Sequence, residues 1–475
     1  MAKAKEKKSD IGLIGLSVMG QNLALNIERN GFQISVFNRT AEITKSFAAQ
    51  KTKGKKVYPC YSLKKFISSL KKPRKIILLI KAGEPVDEVI GKLLPLLEKG
   101  DILIDGGNSF FKDTERRQLF LEKKGIFFLG MGVSGGEEGA LYGPSLMVGG
   151  SKKAYLQLEK IFKKIAAVAE KEPCCAYLGP SGAGHFVKMV HNGIEYAVMG
   201  LLAEVYAFLK IGLHLSQQEI INNFKKRRKS LLASYLFEIT LEVLSQSDKG
   251  NNQPLVDLVL DEAEQKGTGK WTTQVALDLG IPLPGISSAV DSRIISSFRE
   301  RREKLAAIYS TGKSPKANLP IQAVFDSLLA SILVTYDQGF FLLRQGSTAF
   351  GYDLDLLKIA KIWRAGCIIR SEILKKIILS SIQVQSGDLL ADSGFFRQEL
   401  IKLEKSWRQT LSAFIESSTP CPIMAASLAY FDSFRQKRLE SASLIQGLRD
   451  RFGSHGFRRT DKKGDFHVNW SPVKK

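Results

Sequence analysis

Residues 1–180 alternate short apolar runs with segments whose apolar residues recur at helical spacing. The apolar runs at 11–16 and 33–38 predict buried strands, and the segment 21–29 between them predicts a helix. Further strands are predicted at 75–80, 102–105 and 126–130. Because strands separated by helices of this length form βαβ units, we expect an α/β domain built on a parallel sheet.

The pattern changes after residue 184, where long amphipathic segments dominate and few strand-like runs remain. Segments such as 196–211, 322–344 and 356–381 predict a large all-α domain. The stretch Gly179-Pro180-Ser181-Gly182 predicts a hinge into it. From about Leu439 the chain is too polar to build an apolar core, so this tail must dock on something or be disordered. We therefore predict three parts: 1–181, 182–438 and an extended C-terminal tail at 439–475.

Composition narrows the class of protein. The 475 residues are 44% hydrophobic and 25% charged, which is typical of a globular chain. Lys and Arg number 70 against 47 Asp and Glu, a net charge of +23 that favours anionic ligands. The basic residues are dispersed along the chain, which is more typical of a solvated surface than of a nucleic-acid site, so we do not expect nucleic acid as a partner.

The five cysteines form no Cys-x-x-Cys pair, so neither a disulfide framework nor a zinc site is indicated. No apolar stretch reaches the ~18 residues of a membrane span. The N-terminal residues lack the apolar core of a secretory signal. These features predict a soluble cytoplasmic protein with no membrane partner and no metal.

A glycine motif follows the first predicted strand and opens a helix. It fits the dinucleotide fingerprint G-x-G-x-x-G, with a serine in place of the middle glycine, and predicts a Rossmann-like domain. Its residues are Gly15, Leu16, Ser17, Val18, Met19 and Gly20. At the end of the second strand, where an NAD site wants an acid, the chain has Asn38-Arg39-Thr40. Because a guanidinium can fork onto a 2′-phosphate, we expect NADP rather than NAD; the alternative is that Arg39 is an ordinary surface arginine.

A second constellation carries amine, amide and carboxylate groups. Lys188, Asn192 and Glu195 stand at i, i+4 and i+7, so on a helix they share one face, with the amine and the carboxylate roughly 10 Å apart. That spacing suits a base and an acid at two ends of a small substrate; the alternative is a solvated helix face. The glycine-rich stretch 130–139 exposes backbone N–H groups that can hold an anion, or is simply a flexible loop. The glycine-rich stretch 265–272 offers two amines and hydroxyls that suit a phosphate or carboxylate, although it lacks the spacing of a Walker A loop.

These residues resemble a known family, the decarboxylating 6-phosphogluconate dehydrogenases of the pentose phosphate pathway. The resemblance runs nearly end to end and is carried by the motifs at 15–22, 38–40, 133–140, 185–196, 265–272, 363–370, 444–446, 449–455 and 466–470. It implies oxidation of 6-phosphogluconate to ribulose 5-phosphate and CO2 with reduction of NADP+. It further implies that Lys188 is the general base and Glu195 the general acid, in a homodimer without a metal.

The resemblance also implies the binding residues. The substrate would meet Asn108, Ser134, Gly135, Gly136, His191, Asn192, Tyr196, Lys266, Thr268, Arg293, Arg449 and His455, the last two supplied by the tail of the second subunit. The cofactor residues would be those of the glycine motif and the Asn38-Arg39-Thr40 turn, together with Ile80, Lys81, Ala82 and Asn108. Val148 replaces a proline expected in this family, and the basic run 225–228 is also unusual.

Two other readings compete. A shorter β-hydroxyacid dehydrogenase, acting on a substrate like 3-hydroxyisobutyrate, would share the first domain and the lysine, but not the sequence after about residue 300. A basic binding protein built on an inactive enzyme would have lost catalytic residues, whereas Lys188, Asn192, Glu195 and Arg449 are all present.

Overall fold

The computed structural model describes residues 8–265, 267–309, 315–381 and 389–470. The first part of the chain forms an eight-stranded sheet in the order β10-β7-β6-β5-β4-β1-β2-β3. The strands are β1 Ile11–Ile14, β2 Ile34–Phe37, β3 Val57–Cys60, β4 Lys75–Leu78, β5 Ile102–Asp105, β6 Phe127–Ser134, β7 Ser145–Gly150 and β10 Cys175–Gly179, with a small hairpin of β8 Val168–Ala169 and β9 Glu172–Pro173 outside the sheet. The helices between them are α1 Val18–Arg29, α2 Ala41–Lys51, α3 Leu63–Ser68, α4 Glu84–Leu93, α5 Phe111–Glu122, α6 Gly136–Tyr142 and α7 Lys152–Ile165.

Alternate residues of the central strands supply two separate apolar cores. On β5, Ile102 and Ile104 join one core with helices α1 and α7, whereas Leu103 joins the other with α3, α4 and α5. Because successive strand residues point to opposite faces, helices cover both sides of the sheet. The predicted Rossmann-like domain is confirmed.

The sheet departs from the prediction at one pair of strands, since β6 and β7 run antiparallel. Their connection, residues 135–144, holds only the short helix α6. A parallel pairing needs a crossover of a dozen or more residues, so this connection returns the chain in the opposite direction.

The second part of the chain is helical, as predicted. Its helices are α8 Ala183–Ala207, α9 Gln217–Arg227, α10 Tyr235–Leu244, α11 Thr268–Asp278, α12 Pro284–Ser296, α13 Arg299–Ile308, α14 Ile321–Phe350, α15 Leu356–Ile362, α16 Glu372–Ser381, α17 Gly394–Glu416, α18 Pro422–Phe434 and α19 Glu440–Gly453. Helix α8, which is buried over most of its length, packs against α11, α12 and α14 and also against strands β6 and β7. It therefore joins the sheet to the helices.

The amphipathic segment 356–381 is divided into α15 and α16. The intervening residues 363–371 turn at Gly366, whose φ of 65° lies in the left-handed region. The carbonyl of Gly366 accepts a hydrogen bond from the N–H of Ser145, so this turn is tied to strand β7.

Within 428–475, the described residues up to Trp470 form a separate compact unit. Helix α19 is followed by a two-stranded antiparallel pair, β11 Phe457–Arg458 and β12 Asp465–Phe466. The unit is organised around the buried carboxylate of Asp450, which accepts hydrogen bonds from His467 Nδ1, Trp470 Nε1 and the N–H groups of Gly456 and Val468. A polar centre thus takes the place of the apolar core that the tail lacks. The division at 181 and 438 stays a prediction.

None of the helices in the described residues combines the length and apolar character that crossing a membrane requires.

Candidate active site

The sheet has a topological switch point between β1 and β4. From β1 the chain moves to β2 and β3 on one side, whereas β4 and the following strands lie on the other side. Open α/β sheets bind ligands in the crevice at the carboxyl ends of such a strand pair. A cavity of about 650 Å³ lies there, between the residues that follow β1 and those that follow β4.

Most of the predicted cofactor residues line this cavity. They are Gly15, Ser17, Met19, Asn38, Arg39, Thr40, Ile80, Lys81 and Asn108. Leu16, Val18, Gly20 and Ala82 are not among the lining residues. Gly20 acts through backbone spacing, because a Cβ on it would lie 1.9 Å from the Gly15 carbonyl oxygen. The side chain of Leu16 is buried in the core, while its N–H donates to Asn38 Oδ1 at 3.0 Å.

The end of β2 carries no carboxylate, and Arg39 is exposed there. Within the described residues its guanidinium has no hydrogen-bond or ion-pair partner, so it is free to meet a ligand. A dinucleotide phosphate fits this cavity, because its described lining contains three cations, Arg39, Lys81 and Lys92, and a single acid, Glu88.

Helix α4 forms a wall of the cavity that was not predicted from the sequence. Pro85, Glu88, Val89 and Lys92 line it, together with Leu63 on α3. Their signal was available, because α4 directly follows the strand that forms one side of the switch point.

Lys188 lies on α8 with only 6% of its surface exposed. Its stem passes over strand β6 at Gly132, where a Cβ would lie 2.4 Å from the Lys188 Cβ. A larger residue at 132 would therefore push the lysine away. Within the described part of the chain its amine has neither an ion-pair partner nor a hydrogen-bond acceptor.

The surroundings move the pKa values of the base and acid candidates toward each other. Burial lowers the pKa of Lys188, while the charge of Glu195 and the Cys367 thiol partly offset the effect. Burial likewise raises the pKa of Glu195, opposed by the charges of Lys188 and Arg293. Both shifts favour the neutral forms, which an amine needs in order to accept a proton and a carboxylic acid needs in order to donate one.

His191 is fully buried between Ser134 and Asn192. Burial, followed by the charge of Lys188, holds its pKa well below the ordinary value, so the ring is neutral. Its Nδ1 faces two oxygens, Asn192 Oδ1 at 3.1 Å and Glu195 Oε2 at 3.7 Å. We therefore assign the proton to Nδ1, which leaves Nε2 to accept from the Ser134 hydroxyl at 3.2 Å.

The hydrogen-bond network around His191 continues to the start of helix α11. Asn192 Nδ2 donates to Thr268 Oγ1 at 3.1 Å. Tyr196 lies one turn further along α8, and the centre of its ring is 3.6 Å from the guanidinium of Arg293 on α12. The substrate candidates Ser134, His191, Asn192, Tyr196, Thr268 and Arg293 thus occupy one connected region. Lys266 lies outside the described residues.

The glycine-rich loop after β6 packs against the turn between α15 and α16. Gly135, with a φ of 123°, is so close to Gly366 that a Cβ would lie 2.6 Å from the Gly366 carbonyl oxygen. The N–H of Ile368 donates to Ser134 Oγ at 3.4 Å. Trp363, at the start of this turn, lies edge-to-face against His191 with ring centres 5.5 Å apart. The sequence motif at 363–370 carried no assigned role, and the structure shows that it supports Ser134 and His191.

Arg449 and His455 belong to the unit at 428–475. Arg449 Nη1 donates to Gln446 Oε1 on the same helix, and the His455 ring stands beside Gly453, where a Cβ would lie 2.6 Å from Nε2. Their part in the site stays a prediction. No group of three His, Cys, Asp or Glu side chains in the described ranges is placed to hold a metal ion.

Two family models together match most of the chain. One describes the C-terminal domain of 6-phosphogluconate dehydrogenase and matches residues 184–470. The other describes the NAD binding domain of 6-phosphogluconate dehydrogenase and matches residues 10–179. The chain belongs to the 6-phosphogluconate dehydrogenase family. The predicted family and fold class are confirmed.

Individual relatives agree with the family models. The decarboxylating 6-phosphogluconate dehydrogenase of Synechococcus elongatus is 48% identical over 467 residues, which cover 97% of this chain and 98% of the relative. The NADP(+)-dependent decarboxylating enzyme of Bacillus subtilis is 47% identical over 468 residues, covering 98% and 99%. The solved 6-phosphogluconate dehydrogenase of Plasmodium falciparum, described with its cofactor NADP+ and its substrate 6-phosphogluconate, superposes with a TM-score of 0.93 at 43% identity, covering 97% of this chain and 100% of that one.

Proposed function

We propose that this chain oxidises 6-phosphogluconate to ribulose 5-phosphate and CO2 while reducing NADP+ to NADPH. The predictions of an NADP-dependent decarboxylating dehydrogenase and of NADP as its cofactor are confirmed by the family and its relatives. The observation that carries the mechanism is the buried amine of Lys188, which has no partner among the described residues and shares a helix face with Glu195.

Lys188 is the proposed general base. Neutral Lys188 takes the proton of the C3 hydroxyl as the hydride leaves C3. When bound, NADP+ supplies the hydride acceptor. Burial lowers the pKa of Lys188 and so makes the neutral amine accessible, whereas an exposed lysine would stay protonated.

Glu195 is the proposed general acid. Oxidation at C3 gives a β-keto acid, which loses CO2 because the ketone takes up the electrons of the breaking C–C bond. Lys188, protonated by the first step, stabilises the developing enolate oxygen. Glu195 then donates a proton to the carbon that was C2 of 6-phosphogluconate and becomes C1 of ribulose 5-phosphate, and the raised pKa of its carboxyl group keeps that proton available.

The neutral network around His191 holds the sugar chain. With Nδ1–H directed at Asn192 and Glu195, His191 adds no positive charge that would compete with Lys188. Ser134, Gly135, Gly136 and Asn108 are proposed to bind the carboxylate end of the substrate. Asn108 also lines the cofactor cavity, which suits a residue between the two ligands.

The phosphate end is proposed to meet Tyr196, Lys266, Thr268 and Arg293. Arg449 and His455 would complete it from the tail of the second protomer of a homodimer. Helix α19 supports this arrangement, because Leu444, Ile445, Leu448 and Phe452 leave 53% to 75% of their surface exposed in the single chain. An exposed apolar face of this kind favours docking on a partner. We propose the pentose phosphate pathway and the cytoplasm as the setting.

The reaction is tested by incubating purified protein with NADP+ and 6-phosphogluconate and following NADPH absorbance together with CO2 release. We expect both signals in equal amounts, and a much weaker signal with NAD+. Reduction without CO2 release would contradict the decarboxylation step. No reduction by folded protein would overturn the proposed activity.

Completion of the site by the partner tail is tested by subunit complementation. Lys188→Ala and Arg449→Ala are each expected to inactivate a homodimer. A mixed dimer contains one intact site only if the tail acts in trans, and it should then recover up to about a quarter of wild-type activity in a random mixture. Absence of recovery in verified mixed dimers would place Arg449 in its own subunit's site. Deletion from Leu444 onward should likewise raise the substrate KM sharply or abolish activity.

A further inference from the structure

Two loops in the wall of the cofactor cavity contact one buried side chain that does not itself line the cavity. The loops follow β4 and β5, at residues 79–83 and 106–109, and both contribute to the cavity wall. Arg117, on helix α5, is 1% exposed and lies behind them. It is not among the residues that line the cavity.

The contacts of Arg117 reach both loops. Its Nη2 donates to the carbonyl oxygen of Gly83 at 2.9 Å, in the loop after β4. Its Nη1 lies 3.4 Å from Asp105 Oδ2 and 3.5 Å from Ser109 Oγ, at the two ends of the loop after β5. A planar guanidinium can hold several acceptors in fixed directions, which an ammonium group cannot.

The same side chain also fixes the start of helix α4. Its Nε and Nη2 form a bidentate pair with Asp87, at 3.0 and 2.8 Å. Asp87 stands in the first turn of α4, next to Pro85, Glu88 and Val89 of the cavity wall. A bidentate pair is the most directional form of ion pair in proteins.

Asp105 fixes the loop after β5 through hydrogen bonds from residues of the same loop. Asp105 is fully buried, and its two carboxylate oxygens accept from the N–H of Gly107 at 3.0 Å and from the Ser109 hydroxyl at 2.7 Å. Asn108, proposed to meet both substrate and cofactor, lies between these two residues. Arg117 therefore sets the position of Asn108 through the carboxylate that shapes its loop.

We propose that Arg117 is a positioning residue that holds the loops after β4 and β5, and the first turn of α4, in the arrangement that binds NADP. This inference rests on the proposed function for the identity of the ligand. The loops are pre-ordered, so binding does not bear the entropic cost of ordering them.

Arg116 offers a matched control. It neighbours Arg117 on α5 and contacts the same carboxylate, with Nη2 at 3.0 and 2.9 Å from the oxygens of Asp87. Its side chain is 58% exposed, and it reaches neither Gly83, Asp105 nor Ser109. Loss of Arg116 removes a charge next to Asp87 but leaves both loops tied.

The test measures the NADP+ dissociation constant by calorimetry for the wild type, Arg117→Lys, Arg117→Met and Arg116→Met. We expect Arg117→Met to raise it by about tenfold or more, and Arg117→Lys to recover part of the affinity. Arg116→Met should stay within about twofold. Under turnover, the KM for NADP+ should rise more than kcat falls, whereas partial unfolding would lower kcat alone.

Hydrogen exchange on the full-length protein provides a readout that needs no ligand. The amides of 79–83 and 106–109 should exchange faster in Arg117→Lys than in Arg116→Met, with the rest of the sheet unchanged. Ser109→Ala, which leaves every buried charge paired, serves if the Arg117 variants do not fold and should weaken NADP+ binding by a smaller factor. Wild-type affinity and exchange in a folded Arg117 variant, or in Ser109→Ala should that be the variant that folds, would overturn the proposal. Failure of the wild type to bind NADP+ would instead refute the proposed function.

Discussion

Two regions of this molecule bury charged side chains and treat them in opposite ways. Around Arg117 every buried charge has a partner, since the guanidinium is shared between Asp87 and Asp105. On α8, Lys188 is buried and has no ion pair with any described residue, and among those residues only neutral His191 lies within ion-pair distance of the Glu195 carboxylate. Both regions border the proposed ligand sites.

The difference shows what each region can do. A buried ion pair with full hydrogen bonding stays ionised, so it fixes geometry and does not titrate near neutral pH. At the partly exposed end of the network, the hydrogen bond from Arg117 outweighs the effect of burial and, together with that from Arg116, lowers the pKa of Asp87 to about 2. An unpaired buried group shifts toward its neutral form instead, which prepares it for proton transfer.

Removing the unpaired amine should have the largest effect on activity. Lys188→Met keeps the apolar stem over Gly132 but removes the base, so we expect kcat to fall by about 10²- to 10⁴-fold or more. The thermal midpoint should hold or rise, because a desolvated amine is replaced by an apolar group. Steady-state kinetics and thermal unfolding measure the two quantities.

The control for this variant is Lys210→Met. Lys210 lies just beyond α8 and is paired with Asp257 on the surface. Its loss should leave kcat unchanged. Substantial activity in Lys188→Met would remove the amine from the mechanism.

Much of the N-terminal fold could be predicted from periodicity and glycine placement. The strands β1, β2, β4 and β5 are short apolar runs that the sequence marks clearly. Strand β3 was missed because it contains Pro59, which disfavours strands except at an edge, and β3 is indeed the edge strand. Strand β7 was not predicted because its two glycines are more typical of a loop.

The grouping of Lys188, Asn192 and Glu195 was predictable because these residues lie within a few turns of one helix. The network of Arg117 was not, since its partners are distributed from Gly83 to Ser109 and meet only through the sheet. The support of Ser134 and His191 by residues 363–371 has the same character. Sequence patterns thus revealed groups close along the chain, and the fold revealed those that hold them.

Arg39 extends the comparison to the cavity surface, where its guanidinium has no partner among the residues that the structure describes and can bind an anionic ligand. Arg39→Asp should weaken NADP+ binding by about 10- to 100-fold, because a charge-assisted contact is replaced by repulsion. Binding of NAD+ should change much less. Calorimetric titration with both nucleotides tests this, with Lys53→Asp, an exposed residue outside the cavity lining, as control. An unchanged preference would leave NADP selection to other residues.

The pH dependence of kcat/KM tests the proposed protonation states of Lys188 and Glu195 directly. Activity needs neutral Lys188, so it should fall as pH drops through the lowered pKa of Lys188. It also needs protonated Glu195, so it should fall as pH rises through the raised pKa of Glu195. The expected profile is a bell whose Lys188 limb lies below the ordinary lysine pKa of 10.5 and whose Glu195 limb lies above the ordinary glutamate pKa of 4.5. Glu195→Gln should remove one limb; a bell that survives intact would assign that limb to another group.

The smallest expected effect concerns Glu204, which lies on the same helix as Glu195 but has hydrogen-bond partners in the backbone. Its carboxylate accepts from the N–H groups of Ile423 and Met424 at the start of α18, at 2.7 and 3.0 Å. Burial nevertheless raises its pKa to about 7 despite those bonds, from an ordinary value of 4.5. The folded protein therefore holds a proton that the unfolded chain releases between pH 4.5 and 7, and stability should fall as pH rises through that window.

Glu204→Gln cannot ionise and should lose this dependence. The thermal midpoint of the variant minus that of the wild type should become more positive from pH 5 to pH 8, by about a few degrees. Activity should change little, because Glu204 binds backbone groups rather than a proposed substrate position. A difference that stays constant with pH would mean that Glu204 is ionised throughout and behaves like the paired carboxylates around Arg117. The hydrogen bonds from Ile423 and Met424 would then distinguish Glu204 from Glu195.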